Sequence, residues 1–376
     1  MPLGASASEQ RQSLALKPVA FSELPFWESD DHGAAFRTFV RSAGPILGRP
    51  HSRHAAQPPA ALENALRVAV TLENAGTPEG PRARAFFETH FLPHAITHAG
   101  PEGLLTGYYE PVLVGSRTAT GRFRIPVYRR PPDLENLVAE SERGAMAHAL
   151  THARRTSNGV EPYATREDIE RGALVGLGLE LVWLADAVDC FFMHVQGSGR
   201  IRFEDGSSAR ITYDGKNGHP YTSIGRYLID LGHFSADAMS LDALKLWLSV
   251  DEERGRHAMW QNKSFVFFRE LAGNEAESPL GALSIPLSEG RSLAVDTAFH
   301  ALGTPIYVAA PSLTHATPAN GFHRLMIAND VGSAIRGPER GDIYFGSGPE
   351  AGALAGITKH RGWFFVLLPR EGAGKP

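Results

Sequence analysis

The sequence predicts a mainly β protein with accessory helices, built as two domains. Glycine and proline number 39 and 26 in 376 residues, together roughly 17% against a usual ~12%. Such an excess builds turns rather than a helix bundle. From Phe265 onward the apolar stretches are short and bounded by Gly or Pro: SFVFFRE, SLAVDTA, PIYVAA, HRLMIAND, GDIYFGSG and WFFVLLP. That spacing suits a sandwich or barrel. The length allows two cores, and 43% hydrophobic with 21% charged residues is a globular composition.

Residues 1–20 are polar. From about Asp30 to Pro93 the texture is helical. GAAFRTFVRSAGPIL sets Phe36, Phe39 and Val40 at helical spacing, and ALENALRVAVTLENAG does the same with Leu62, Leu66 and Val70. Gly76 should end that helix. Neither helix carries a catalytic spacing, so both read as support. GLLTGYYEPVLVGS then reads as a strand, a turn at Glu110–Pro111 and a second strand, followed by strand-like FRIPVYRRPP. The stretch 134–155 is expected to be helical. Cys190, within AVDCFFMHV, is expected on a buried strand as an inert thiol. CFFMHVQGSGRIRFEDGSSARITYDGKNG reads as hairpins, with turns at Gly197-Ser198-Gly199, Asp205-Gly206 and Asp214-Gly215. A helical pair follows, SIGRYLIDLG and SLDALKLWLSVDEERGRHAMW, with Ser240 as a cap for the second.

Several classes are excluded. A net charge of -4 argues against a non-specific nucleic-acid binder. One cysteine leaves no disulfide framework and no cysteine-based zinc site. No apolar run reaches the length of a membrane span. The N-terminus shows neither a secretory h-region nor a lipid-acceptor cysteine, which predicts either a cytosolic chain or a targeting segment missing from it. There is no G-x-S-x-G elbow, Walker loop, H-E-x-x-H or dinucleotide fingerprint. His90, His94 and His98 would share one helix face, but Pro93 interrupts the helix; no metal and no cofactor is expected.

Three clusters carry chemistry. In the first, Asp330 and Asp342 sit beside glycine-rich turns in RLMIANDVGSAIRGPERGDIYFGSG, and Asp296 lies in SLAVDTAFHALGTPIYV. Aspartate is a poor strand former, so three at strand ends invite either a catalytic reading or plain turn chemistry. The second is GYYEP. Tyr108 and Tyr109 alternate faces, so one can pack inward while the other offers its ring to a sugar. The third, HVQGSGRI…DGKNGHPYTSIGRYL, gathers Gln196, Ser198, Asn217, His219, Tyr221 and Ser223 with cationic Lys216. Neutral hydrogen-bonding groups suit a polyhydroxylated, N-acetylated ligand better than a phosphate; ordinary polar hairpin turns are the alternative.

With these motifs in place, TGYYEP, FFMHVQGSG, YDGKNGHPYTSIGRYLID, NKSFVFFRE, AVDTAF…LGTPIYV and ANDVGSAIRG-PERGDIYFGSGPEAGALAG resemble the membrane-bound lytic transglycosylase A family with its C-terminal three-aspartate domain. The resemblance runs in order over about residues 100–368. It implies a double-psi β-barrel domain from residues 1–107 and 260–376, and a smaller inserted β-barrel over residues 108–259, with a groove between them.

It also implies cleavage of the β-1,4 bond between N-acetylmuramic acid and N-acetylglucosamine in peptidoglycan, leaving 1,6-anhydromuramoyl ends. Asp342 would be the acid and base, with Asp330 and Asp296 in support. Tyr108, Tyr109, Gln196, Ser198, Lys216, Asn217, His219 and Tyr221 would hold the glycan. Asp342 must then be protonated at rest, through burial or a like charge such as Asp330. The substrate implies a periplasmic enzyme, with outer-membrane association in many members, acting on glycan strands as a monomer. A hydrolytic muramidase using the Asp342–Asp330 pair and a non-catalytic glycan-binding module are the alternatives.

Overall fold

The computed structural model describes residues 15–48, 58–98, 103–137, 150–273, 277–317, 320–332 and 334–370. The chain forms two compact units. The first is Met1–Tyr108, Leu280–Gly346 and Thr358–Pro376; the second is Tyr109–Pro279 and Ser347–Ile357. Both are mainly β with helices added.

Strands are numbered along the whole chain. The first unit holds β1 (Ala15–Pro18), β2 (Phe91–Thr97), β3 (Leu104–Glu110), β13 (Ser292–Val295), β14 (Pro305–Ala310), β15 (Phe322–Asp330), β16 (Arg340–Ser347), β17 (Lys359–Arg361) and β18 (Trp363–Pro369). They form one sheet in the order β1-β2-β18-β14-β15-β13-β16-β3-β17. β13 pairs parallel with β15 and antiparallel with β16. Strands β13 and β14 are buried along their whole length, as their near-continuous apolar runs require.

The helices His32–Arg41, Ala43–Leu47, Ala60–Asn74 and Gly80–His90 belong to this unit. Their apolar stripes bring Phe36, Phe39, Leu62, Leu66, Phe86 and Phe87 into one core with Tyr307, Leu325, Ile327 and Leu367 of the sheet. Gly76 takes φ 124° just past the Ala60–Asn74 helix, as expected of its end. The helical texture stops three residues before Pro93, because β2 begins at Phe91. His94 therefore stands on a strand, with Nδ1 2.9 Å from Leu92 O, while His98 meets Glu339 at 3.0 Å. The three histidines do not gather, and no metal-holding cluster exists among the described residues. RPHSRHAAQ lies outside the described residues.

The second unit contains β4 (Val112–Ser116), β5 (Ile125–Tyr128), β6 (Leu134–Asn136), β7 (His152–Thr156), β8 (Gly159–Glu161), β9 (Glu180–Leu184), β10 (Ser198–Arg202), β11 (Ser208–Lys216) and β12 (Val266–Glu270). One sheet runs β12-β11-β10-β4-β9-β5 and a second β6-β7-β8. The unit extends past the expected limit near Met259, because β12 pairs with β11. It also takes in the helix Pro349–Ile357, which the sequence reading missed.

Four expectations of local structure are corrected. The ends of the stretch 134–155 are strands β6 and β7, and residues 138–149 lie outside the described residues. Cys190 sits on a helix, Ala187–Gln196, not a strand. Asp186 caps its start by accepting from Asp189 N at 2.8 Å, and Gly197, at φ 77°, ends it. A helix buried nearly all round shows no polar stripe, so its apolar run mimics a strand. Asp214-Gly215 is a bulge inside β11 rather than a turn, whereas Asp205-Gly206 does turn the β10–β11 hairpin. Ser240 caps Leu241–Val250 through Ala243 N, and the expected long helix breaks at Asp251 into Leu241–Val250 and Glu252–Trp260.

Candidate active site

Ala294 on β13 is in register with both Asp342 on β16 and Asp330 on β15. Paired residues on neighbouring strands share a face. The two carboxylates therefore flank a small alanine side chain on one face, their Cα atoms about 10 Å apart across two strand spacings. Thr106 and Tyr108, two residues apart on β3, share a face by the same alternation and reach these carboxylates. Thr106 Oγ1 donates to Asp342 Oδ1 at 2.5 Å, and Tyr108 OH donates to Asp330 Oδ2 at 2.8 Å. The Tyr108 ring also packs on Tyr344, centroids 5.3 Å apart.

The aspartates differ in what occupies their oxygens. Asp330 accepts three bonds: Tyr108 on Oδ2, and Ala282 N and Val331 N on Oδ1 at 3.1 and 2.8 Å. The Ala282 amide approaches because Gly281 has no Cβ; one there would lie 2.6 Å from Asn329 O. Asp296, 4% exposed, accepts from Ala298 N on Oδ1 and Gly337 N on Oδ2, at 3.1 and 2.9 Å. It thus ties its own turn to the turn leading into β16, the turn chemistry weighed as its alternative. Asp342 accepts only from Thr106, so its Oδ2 makes no hydrogen bond among the described residues. Arg340 Nη2 in turn donates to Thr106 Oγ1 at 2.8 Å.

Burial raises the pKa of Asp342; the Thr106 bond and the Arg340 charge oppose it. Burial also raises Asp330, to about 6, against its three donors, and the nearby Asp342 adds to the rise. Of the two causes left open for Asp342, burial or a like charge such as Asp330, burial is the one that raises it. Burial lifts the Tyr108 phenol well above its ordinary value, so it remains a donor to Asp330.

The fold binds the Asp330 proton more tightly than the unfolded chain does, so this carboxyl weakens the fold as pH rises from about 4 through about 6. Asp330→Asn is expected to stabilise the protein by about 2–3 kcal/mol at pH 8, with the difference gone near pH 3. Thermal melts at the two pH values test this; an unchanged Tm at the higher pH would count against the burial of a charge at Asp330.

Tyr108 is thus committed to Asp330 and Tyr344. Tyr109 packs inward at 7% exposure, its ring close over Gly352. Gln196 ends its helix and accepts from Tyr109 N at 3.1 Å. Asn217 is fully buried. Its amide donates to Ala164 O and Lys263 O, both at 2.8 Å, and its oxygen accepts from Phe265 N at 2.9 Å. Both N–H groups and the oxygen are engaged by backbone, three of the four bonds the side chain can make, so Asn217 braces the loop. Ser223 likewise caps the Ile224–Asp230 helix.

Ser198 is buried at the start of β10, and Lys216 and Tyr221 are half-buried. His219 Nε2 lies 2.8 Å from Tyr163 O. Cys190 is buried beside His194, with burial pushing its thiol up to about 12, which is the inert thiol expected. Sequence reading missed Thr106, Arg340 and the Ala282 amide. The first two stand two residues before Tyr108 and Asp342 on their strands, a period-two signal that was available.

Residues 104–269 match the family model of the MltA specific insert domain and residues 291–368 that of the 3D domain. The chain is 38% identical over 274 residues to membrane-bound lytic murein transglycosylase A of Escherichia coli K12, covering 72% of this chain and 66% of the relative. It is 36% identical over 268 residues to the Vibrio cholerae protein of that name, covering 70% and 65%. The matches thus span just under two thirds of these relatives' length. The solved membrane-bound lytic murein transglycosylase from Agrobacterium tumefaciens superposes with TM-score 0.83 at 36% identity, over 96% of this chain and 99% of that one. E. coli MltA with bound chitohexaose gives TM-score 0.66 at 30% identity, over 94% and 91%.

Proposed function

We propose, because the chain belongs to the membrane-bound lytic murein transglycosylase A family, that it cleaves peptidoglycan glycan strands between N-acetylmuramic acid and N-acetylglucosamine without adding water. Asp342 is the acid and then the base. The observation that carries the assignment is oxygen occupancy. Asp342 keeps Oδ2 without a hydrogen bond among the described residues, whereas both oxygens of Asp330 and of Asp296 are taken. An acid that must reach a glycosidic oxygen needs one such oxygen.

In this reading buried Asp342 starts protonated and gives its proton to the leaving N-acetylglucosamine oxygen as the C1–O bond breaks. The resulting carboxylate removes the proton from the muramoyl C6 hydroxyl, whose oxygen closes on C1. The proton count balances, and the acid is restored for the next cycle. An intramolecular nucleophile has a high effective molarity, so no activated water is required. Asp330, held by three donors, fixes the Tyr108 phenol beside the acid, and Asp296 shapes the approach to β16.

Gln196, Ser198, Lys216, His219 and Tyr221 are the glycan-contact candidates that remain. A relative solved with chitohexaose supports an amino-sugar ligand. The substrate places the enzyme at the cell wall. The test is mass spectrometry of muropeptides released from purified sacculi. Products one water lighter than reducing muropeptides are expected; exclusively reducing ends would point to hydrolysis by an Asp pair, and no release to a binding module.

A further inference from the structure

We propose that Arg340 and Thr106 are positioning residues that decide which oxygen of Asp342 carries its proton. The inference rests on the reading of Asp342 as the acid. A threonine hydroxyl has one hydrogen and two lone pairs, and a guanidinium only donates. Arg340 Nη2 donates to Thr106 Oγ1 at 2.8 Å, so it fills a lone pair and leaves the hydroxyl hydrogen for another acceptor. Asp342 Oδ1, 2.5 Å away, is that acceptor. A proton on Oδ1 would face the incoming O–H, so the acid proton resides on Oδ2, the oxygen without a hydrogen bond among the described residues.

Arg340 is itself held for this task. Its Nη1 donates to Gly341 O at 2.5 Å and reaches Leu104 O at 3.5 Å. The relay therefore joins β16 to β3, and its geometry is set by backbone rather than by a mobile partner. Arg340 makes no ion pair among the described residues, so its charge acts on Asp342 through the hydroxyl and through space.

The arrangement has a definite pH consequence. The groups around Asp342 are Thr106 and Tyr108 from β3, Arg340 and Tyr344 from its own strand, and Asp330 beyond Ala294. The Thr106 bond and the Arg340 charge both favour the carboxylate. Removing either raises the Asp342 pKa, so the alkaline limb of the pH–rate profile, where the protonated acid is lost, moves to higher pH.

The experiment compares Thr106→Val, Thr106→Ser, Arg340→Met and Asp342→Asn with wild type on purified glycan strands. Release of anhydro ends is followed across pH, and thermal melts are run in parallel. Thr106→Val should lower kcat on the order of tenfold with KM unchanged and shift the alkaline limb upward. Thr106→Ser should restore both, and Arg340→Met should shift the limb the same way with a smaller loss. A limb at the wild-type pH in both Thr106→Val and Arg340→Met would overturn the inference, and Arg340→Met alone decides if Thr106→Val fails to fold. Wild-type turnover by Asp342→Asn would overturn the acid assignment and this inference together. An inactive Asp342→Asn beside unmoved limbs would overturn this inference alone.

Discussion

Asp342→Asn is expected to slow sacculus cleavage by about 10³-fold or more, with KM little changed and the fold intact. The size follows from the double duty of the group. A positioned acid or base contributes roughly 10²–10⁴-fold, and here one carboxyl serves both halves of the reaction. An amide can neither give a proton to the leaving oxygen nor take one from the C6 hydroxyl. It still accepts from Thr106 through its own oxygen, so the relay at 2.5 Å keeps a partner. Asn is neutral, and burial disfavours the charged form of Asp342, so above the raised pKa the variant should melt at or above the wild-type temperature. Loss of activity with equal or higher Tm is a signature that misfolding cannot imitate. Anhydro-muropeptide release and a thermal melt on the same preparation check it, and wild-type turnover would remove Asp342 from the mechanism.

Local pattern made the carboxylates visible, while their division of labour entered only through the family resemblance. Aspartate at strand ends is anomalous, and that drew attention to Asp296, Asp330 and Asp342. Which of them keeps an accessible oxygen depends on donors far away in sequence: Tyr108 reaches Asp330 over 222 residues and Thr106 reaches Asp342 over 236. Local pattern carries no record of such pairings. The third cluster shows the opposite limit. Asn217 has the composition of a ligand contact, yet its three bonds are all to backbone. A loop crossing the interior must satisfy its own amides and carbonyls, and a buried asparagine does so with the same groups that would bind a sugar.

The elements were legible where one face alone is buried. Helix His32–Arg41 announced itself by period; the wholly buried β14 was readable instead as a short apolar run bounded by Gly and Pro. The helix Ala187–Gln196 showed no such period, because its buried residues include Val188, Cys190, Phe191, Phe192, Met193 and His194. With apolar groups all round, period no longer separates helix from strand. Asp186 three residues before Asp189, and Gly197 at the far end, were the usable cues.

Asp30→Ala is expected to cost about 3–5 kcal/mol of stability. Asp30 stands just before helix His32–Arg41, and Arg291 just before β13. Their side chains form a two-pronged pair, Arg291 Nη1 to Asp30 Oδ2 at 2.9 Å and Nη2 to Oδ1 at 2.7 Å, with side-chain exposures of 7% and 3%. Both partners also hold Leu325 of β15: its N–H donates to Asp30 Oδ2 at 2.7 Å, and its carbonyl accepts from Arg291 Nη1 at 2.9 Å. Removing Asp30 strands a guanidinium inside the first unit and leaves the Leu325 amide without its acceptor, which is why the cost exceeds that of an exposed pair. Arg291→Met alone should cost a similar amount, since a carboxylate is then stranded. The double variant Asp30→Ala/Arg291→Met should lose clearly less than the sum, because neither charge remains. Urea denaturation of the four proteins measures this. Additive losses would mean that the two groups act independently and that the clamp on β13 and β15, the strands that carry Ala294 and Asp330, lies elsewhere.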